Sequence, residues 1–67
     1  MDMLGDALPR EMARVRDEVM PAYIEIGDAG VFAVYFMRQH LDDAAKAMAE
    51  GDLIGMMRAY KNLKACK

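Results

Sequence analysis

The chain has 67 residues, of which 55% are apolar and 30% charged, and its net charge is −2. This length allows one domain, residues 1–67, with a marginal core, because short chains bury a smaller share of their surface. Cys66 is the only cysteine, which excludes an internal disulfide, and with His40 it supplies two of the four ligands of a closed zinc site. Stability must therefore come from regular helix packing, from association, or from both.

The composition and the glycines predict where the helices lie. Alanine is abundant, and serine and threonine are absent, which favours helix over strand. Gly27-Asp28 and Gly51-Asp52 each place a glycine where a helix ends and an aspartate where the next helix takes its N-cap. We therefore predict an all-α fold: a three-helix bundle with helices at about residues 8–26, 29–50 and 53–65, joined by short turns and associating as a homodimer.

The first predicted helix carries an apolar seam at spacings of three and four residues. The seam consists of Leu8, Met12, Val15, Val19, Ala22 and Ile26. Pro21 lies inside this helix, where proline removes one backbone hydrogen bond and either kinks or breaks it. We favour a kink, because the seam continues in phase beyond Pro21.

The N-terminal half of the second predicted helix, Val31–Met37, is apolar all round, and such a helix is buried on more than one side. From Leu41 onward the pattern is amphipathic. The third helix has an apolar stripe and a basic outer face. The stripe consists of Leu53, Met56, Met57, Tyr60 and Leu63. The outer face consists of Arg58, Lys61 and Lys64.

No group of residues indicates catalysis. His40 has Asp42 and Asp43 at spacings that point to different sides of a helix, so they do not converge as metal ligands. Cys66 stands next to the last residue, where a preorganised nucleophile is not expected. The tyrosines fall in or beside apolar stripes, which favours packing over acid–base chemistry. We predict that the protein is not an enzyme and has no catalytic residues, metal or cofactor.

The apolar side chains outnumber the places that three short helices have to bury them. The surplus clusters at residues 20–37, on both sides of Gly27. Because monomers seldom expose a contiguous apolar patch, we predict a protein-binding surface there. Its predicted contact residues are Met20, Tyr23, Ile24, Phe32, Tyr35 and Phe36. The partner is a second copy of the chain, a different host protein, or both.

DNA binding is the alternative function. A tight glycine turn joins the second and third predicted helices, as in a helix-turn-helix, and Arg58, Lys61 and Lys64 form a charged patch that an acidic partner or nucleic acid could use. Glu50 and Asp52, however, flank Gly51 where that motif takes apolar residues. The net charge favours neither nucleic acid nor an anionic membrane, so we expect nucleic acid to be an unlikely partner.

We expect a cytoplasmic location. Residues 1–8 include Asp2 and Asp6 and have no apolar run, so they do not resemble a signal peptide. No segment has 18 or more consecutive apolar residues, so no membrane span is expected. A single free cysteine fits a reducing compartment, although an intermolecular disulfide through Cys66 stays open.

Two stretches resemble a broader class of sequence. They are residues 21–32 (PAYIEIGDAGVF) and 43–64 (DAAKAMAEGDLIGMMRAYKNLK), about half of the chain. Both are similar to short all-helical reading frames of phages and prophages of proteobacteria. The resemblance implies a small accessory protein that binds a host protein and inhibits or redirects it. It carries no catalytic or binding motif over to individual residues.

Overall fold

The computed structural model describes residues 3–67, so Asp2 lies outside the described part. Helices account for 91% of the described chain. Two helices are present within residues 3–67: α1, Leu4–Glu50, with 47 residues, and α2, Leu53–Lys64, with 12. The predicted three-helix bundle is therefore wrong. The reason lies at Gly27-Asp28, where helical conformation continues through a 3₁₀ turn instead of ending.

Helix α1 changes its winding along its length. It is α-helical at Leu4–Arg14, π-helical at Val15–Val19 and α-helical at Met20–Ile26. A 3₁₀ turn, Gly27–Gly30, leads into a final α-helical part, Val31–Glu50. We call residues 4–26 the first limb and Val31–Glu50 the second limb.

Gly27 is where α1 folds over. Its φ of +84° and ψ of −135° lie in a region that only glycine adopts readily. A straight helix of this length would span about 70 Å, whereas the longest dimension of the molecule is 35 Å. The 3₁₀ turn packs closely against the first limb, since a Cβ atom on Gly30 would collide with the carbonyl oxygen of Tyr23.

The π-helical turn explains how α1 continues through Pro21. The N–H of Met20 donates to the carbonyl of Val15, five residues back, where an α-helix would use four. The wider turn stands just before the proline, whose ring would otherwise press on the carbonyl of Asp17. The helix therefore neither ends nor restarts at Pro21.

The second glycine–aspartate pair ends a helix as predicted. Gly51 is left-handed, with φ +66°, and the Asp52 carboxylate accepts a hydrogen bond of 3.0 Å from the N–H of Gly55. The predicted cap at Asp28 is wrong, because Gly30 occupies the N-cap position of the second limb and no side chain caps it within the described chain. The 3₁₀ turn already provides the backbone bonding that a cap would supply.

The core is small and partly built from alanine. The buried apolar side chains of the described chain are Leu8, Val15, Val19, Met20, Met37, Ala44, Ala47, Ala59 and Leu63. The prediction that Val31–Met37 is buried on more than one side is wrong, because Met37 alone in that run is buried. The thinnest dimension is 16 Å, which accommodates two helix layers at the usual spacing of about 8–10 Å. Among the described residues, Val31, Phe32, Tyr35 and Phe36 on the second limb are left exposed.

Helix α1 is long and apolar enough to cross a membrane, judged by length and composition alone. Its most apolar window has a mean hydropathy of 1.2 and is 11% buried. Leader sequences and helices of soluble proteins share these properties, and α1 is folded at Gly27 and not straight. The cytoplasmic location and the absence of membrane contact therefore stay predictions.

Candidate functional site

The most exposed apolar side chains of α1 stand on both sides of the fold at Gly27. Phe32 is 76% exposed, and its neighbours are between 53% and 58% exposed. We call this set the corner surface. It consists of Ile24, Ile26, Val31, Phe32, Tyr35 and Phe36.

Four of these residues form one stripe on the second limb. Val31 and Tyr35, like Phe32 and Phe36, are four residues apart, so each pair shares a helix face. The rings of Tyr35 and Phe36 meet edge to face, with centroids 5.5 Å apart and planes at 79°. Gln39 Nε2 also donates to Tyr35 Oη at 3.1 Å. These contacts hold two of the rings in place at the surface before any partner binds.

The structure places the six predicted contact residues in two environments. Ile24, Phe32, Tyr35 and Phe36 lie at the surface. Met20 is 7% exposed and belongs to the core.

Tyr23 is half-buried, and its Oη donates to the carbonyl oxygen of Lys67 at 2.9 Å. Its hydroxyl thus ties the end of the chain to the first limb. Sequence reasoning missed Ile26, because its spacing fits the buried seam, and it missed Val31. The position of Ile26 and Val31 beside Gly27 is the sequence signal that would have indicated their exposure.

A second exposed apolar group lies on α2. Leu53, Ile54 and Met57 are 61%, 70% and 58% exposed. The predicted stripe of α2 assigned Leu53 and Met57 to its buried side, and that assignment is wrong for both. The contacts of α2 with the rest of the molecule instead involve Ala59 and Leu63, which are buried.

The three basic residues of the predicted charged patch do not share one cavity. Arg58 lines a cleft together with Asp43 and Glu50 of the second limb. Lys61 and Lys64 line another, beside Tyr60. Acidic groups beside Arg58 therefore interrupt the basic surface that DNA binding would use.

Lys64 is engaged with an aromatic side chain. Its Nζ lies 3.3 Å from Tyr60 Oη and 5.5 Å from the ring centroid. This arrangement is a cation–π contact on the surface of α2.

A cleft of about 950 Å³ separates the first limb from α2. Arg14 is one of several charged residues that line it. Its Nε lies 2.6 Å from Glu11 Oε2, and its Nη2 donates to the carbonyl oxygens of Leu63 and Cys66, each at 2.9 Å. These bonds are within the protein, so Arg14 holds α2 in place and is not poised for a ligand.

Cys66 and His40 are the two side chains of the described chain whose types are most often used in chemistry at neutral pH. The Cys66 Sγ donates to the carbonyl oxygen of Asn62 at 3.5 Å, and burial raises the pKa of its thiol. His40 Nδ1 is buried without a hydrogen-bond partner in the described chain. Within residues 3–67, no three His, Cys, Asp or Glu side chains are grouped as metal ligands.

Comparison with protein-family models, with curated proteins and with solved structures finds no match to this chain. The phage and prophage class, the host-protein inhibition and the regulatory role therefore stay predictions from the resemblance.

Proposed function

We propose that this chain is a small protein–protein interaction module that binds its partner through the corner surface. The exposure of Phe32, at 76%, is the observation that carries the proposal. Burying a large apolar side chain contributes roughly 1.5–3 kcal/mol. Six such side chains, exposed next to one another, form an apolar patch of the kind that marks a protein-binding site.

The surface has the composition of an interface centre. Aromatic rings are enriched among the residues that contribute most to binding, and Phe32, Tyr35 and Phe36 supply three. They stand on an α-helix, and the contact between Tyr35 and Phe36 limits their freedom. Little conformational entropy would then be lost on binding. Charged residues that are exposed, Glu25, Asp28 and Arg38, surround the rings as a polar rim would.

A module of this kind acts by occupying a surface of its partner. We propose, with the resemblance to phage and prophage proteins as the guide, that a host protein is inhibited or redirected in this way. The charged clefts lined by Arg58 and by Lys61 and Lys64 are secondary to the corner surface.

Site-specific photo-crosslinking tests the proposal. A benzoylphenylalanine replaces Phe36 in one variant and the exposed Lys46, ten residues further along the second limb, in a matched control. We expect irradiation of bacterial cells that express each variant to give a discrete protein adduct from position 36. Equal adducts from both positions, or none from position 36, would contradict a binding role for the corner surface.

A double variant, Phe32→Asp with Phe36→Asp, provides an independent measurement. Both side chains are exposed, so helix content by circular dichroism should be retained while recovery of the partner is lost. Equal recovery with the folded double variant would overturn the proposed surface.

A further inference from the structure

We infer that the corner surface binds a second copy of this chain, with the two second limbs antiparallel across a two-fold axis at the level of Val34. This inference rests on the proposed function and names a second copy as the occupant of the corner surface, so a host protein would compete with that copy for the same surface. In this arrangement Phe32 of each copy packs against Phe36 of the other, and Arg38 of each copy lies opposite Gly30, two residues from Asp28, of the other.

The spacing of the rings makes the stripe complementary to itself. Phe32 and Phe36 are four residues apart, about 6 Å along the helix axis, and Val34 is midway between them. A two-fold axis at that level exchanges the two ring positions, so each Phe32 meets a Phe36 at both ends. Tyr35 lies beside the axis. Symmetric pairs use one patch twice in this way, and they are the commonest oligomers.

The charges beyond the ends of the stripe are offset by two residues from that symmetry, and the long arginine side chain spans the offset. Asp28 precedes Val31 by three residues, and Arg38 follows Tyr35 by three, so opposite charges lie beyond opposite ends. Both side chains are exposed, and neither forms an ion pair within residues 3–67. Antiparallel pairing brings each Arg38 within reach of an Asp28, whereas parallel pairing would set like charges side by side.

The exposed area is close to what a specific dimer needs. An aromatic side chain offers about 150–250 Å², and the three rings of the stripe are 76%, 57% and 55% exposed. Two copies would then remove roughly 560–940 Å² of aromatic surface from water, and the flanking aliphatic residues bring the total near the roughly 1,000 Å² expected of a biological interface.

The small core favours a second copy as the partner. Three of the nine buried side chains among the described residues are alanine. Pairing would add Phe32, Tyr35 and Phe36 from each copy to a shared core. Domains of this size often gain stability through such association.

Two measurements test the inference. The mass in solution tests whether the partner is a second copy, and exchange of the charges at positions 28 and 38 tests the antiparallel arrangement. Sedimentation equilibrium of the wild-type chain should give twice the mass of 7.5 kDa at high concentration. Arg38→Asp and Asp28→Arg should each raise the dissociation constant at least about tenfold, because like charges then meet at both ends of the stripe. The double variant should restore it, and Lys46→Asp should leave it unchanged.

The outcomes separate the two proposals. A single-chain mass at every concentration overturns the homodimer, while an adduct of Phe36 to a protein of another mass would still support the interaction module. The antiparallel arrangement is overturned if neither charge variant raises the dissociation constant of the dimer. It is also overturned if the double variant does not restore the wild-type value. Because the exchanged positions are exposed, circular dichroism should show unchanged helix content in each variant.

Discussion

Arg14 donates a hydrogen bond of 2.9 Å from its Nη2 to the carbonyl oxygen of Leu63, 49 residues further along the chain. The same atom bonds the carbonyl oxygen of Cys66. The last carbonyls of a helix lack partners within the helix, and a cation there also complements its dipole. One side chain of the first limb therefore both caps α2 and anchors it.

Replacing Arg14 should loosen α2. Arg14→Ala removes the two hydrogen bonds to carbonyls at the end of α2 and the ion pair with Glu11, all from a side chain that is one-third exposed, so we expect a loss of about 2 kcal/mol in the free energy of unfolding. For a domain of this size that corresponds to a fall of roughly 10 °C in Tm. Arg16→Ala is the control, because Arg16 pairs only with its exposed neighbour Asp17 among the described residues, and its Tm should not change. Equal Tm values for both variants would show that the anchor contributes nothing.

Gly27→Ala should destabilise the fold in α1. Alanine at φ +84° and ψ −135° is strained, and we expect a cost of about 1–3 kcal/mol in urea unfolding. Gly5→Ala is the matched control, because Gly5 is helical and nothing lies within 4 Å of its added Cβ. That change should be neutral or slightly stabilising. A Gly27→Ala variant as stable as the wild type would mean that the fold does not depend on this conformation.

The two aspartates that follow glycines should respond differently to replacement. Asp52→Ala removes the bond to the Gly55 N–H and should cost about 1 kcal/mol of stability. Asp28→Ala removes no cap bond in the described chain and should leave thermal unfolding unchanged at concentrations below self-association. Asp52→Asn keeps the acceptor oxygen and should retain most of the stability. Equal losses at both aspartates would contradict the assignment of a cap to Asp52 alone.

Cys66 should react slowly with alkylating reagents. Burial raises the pKa of its thiol, so less thiolate is present in the folded chain than in the unfolded chain at the same pH. Iodoacetamide at pH 8 should therefore modify the native protein more slowly than the denatured protein, by mass spectrometry. Because the folded pKa is the higher one, the thiol adds stability below its ordinary pKa, and that contribution is lost as the pH rises through the folded value. Equal alkylation rates would show that the thiol is not shielded.

Local rules of the sequence predicted the second turn. Gly51 and Asp52 are confirmed as the end of one helix and the cap of the next, because each depends on its own backbone geometry. The same dipeptide at Gly27 failed as a predictor of a helix end. There the outcome depends on residues across the fold, such as Tyr23, whose carbonyl packs against Gly30.

The corner surface was predicted only in part, again because the outcome depends on packing between parts of the chain. A count of the apolar residues indicates a surplus around Gly27. The count does not show which of these side chains are buried by contacts with others. Met20 is buried in the core, while Ile26 and Val31 are exposed. Which side chains stay exposed depends on how many layers cover each limb, and periodicity along one helix carries no such information.

The sequence by itself determined the helical class, the short α2 with its cap, and the excess of apolar side chains near residue 27, because these follow from composition and near-neighbour chemistry. Only the tertiary structure decided that α1 continues through Gly27 as a folded helix and that Arg14 holds the far end of the chain. It also decided that Phe32 faces outward. Each of these depends on how the helical parts pack against one another, which no local preference specifies.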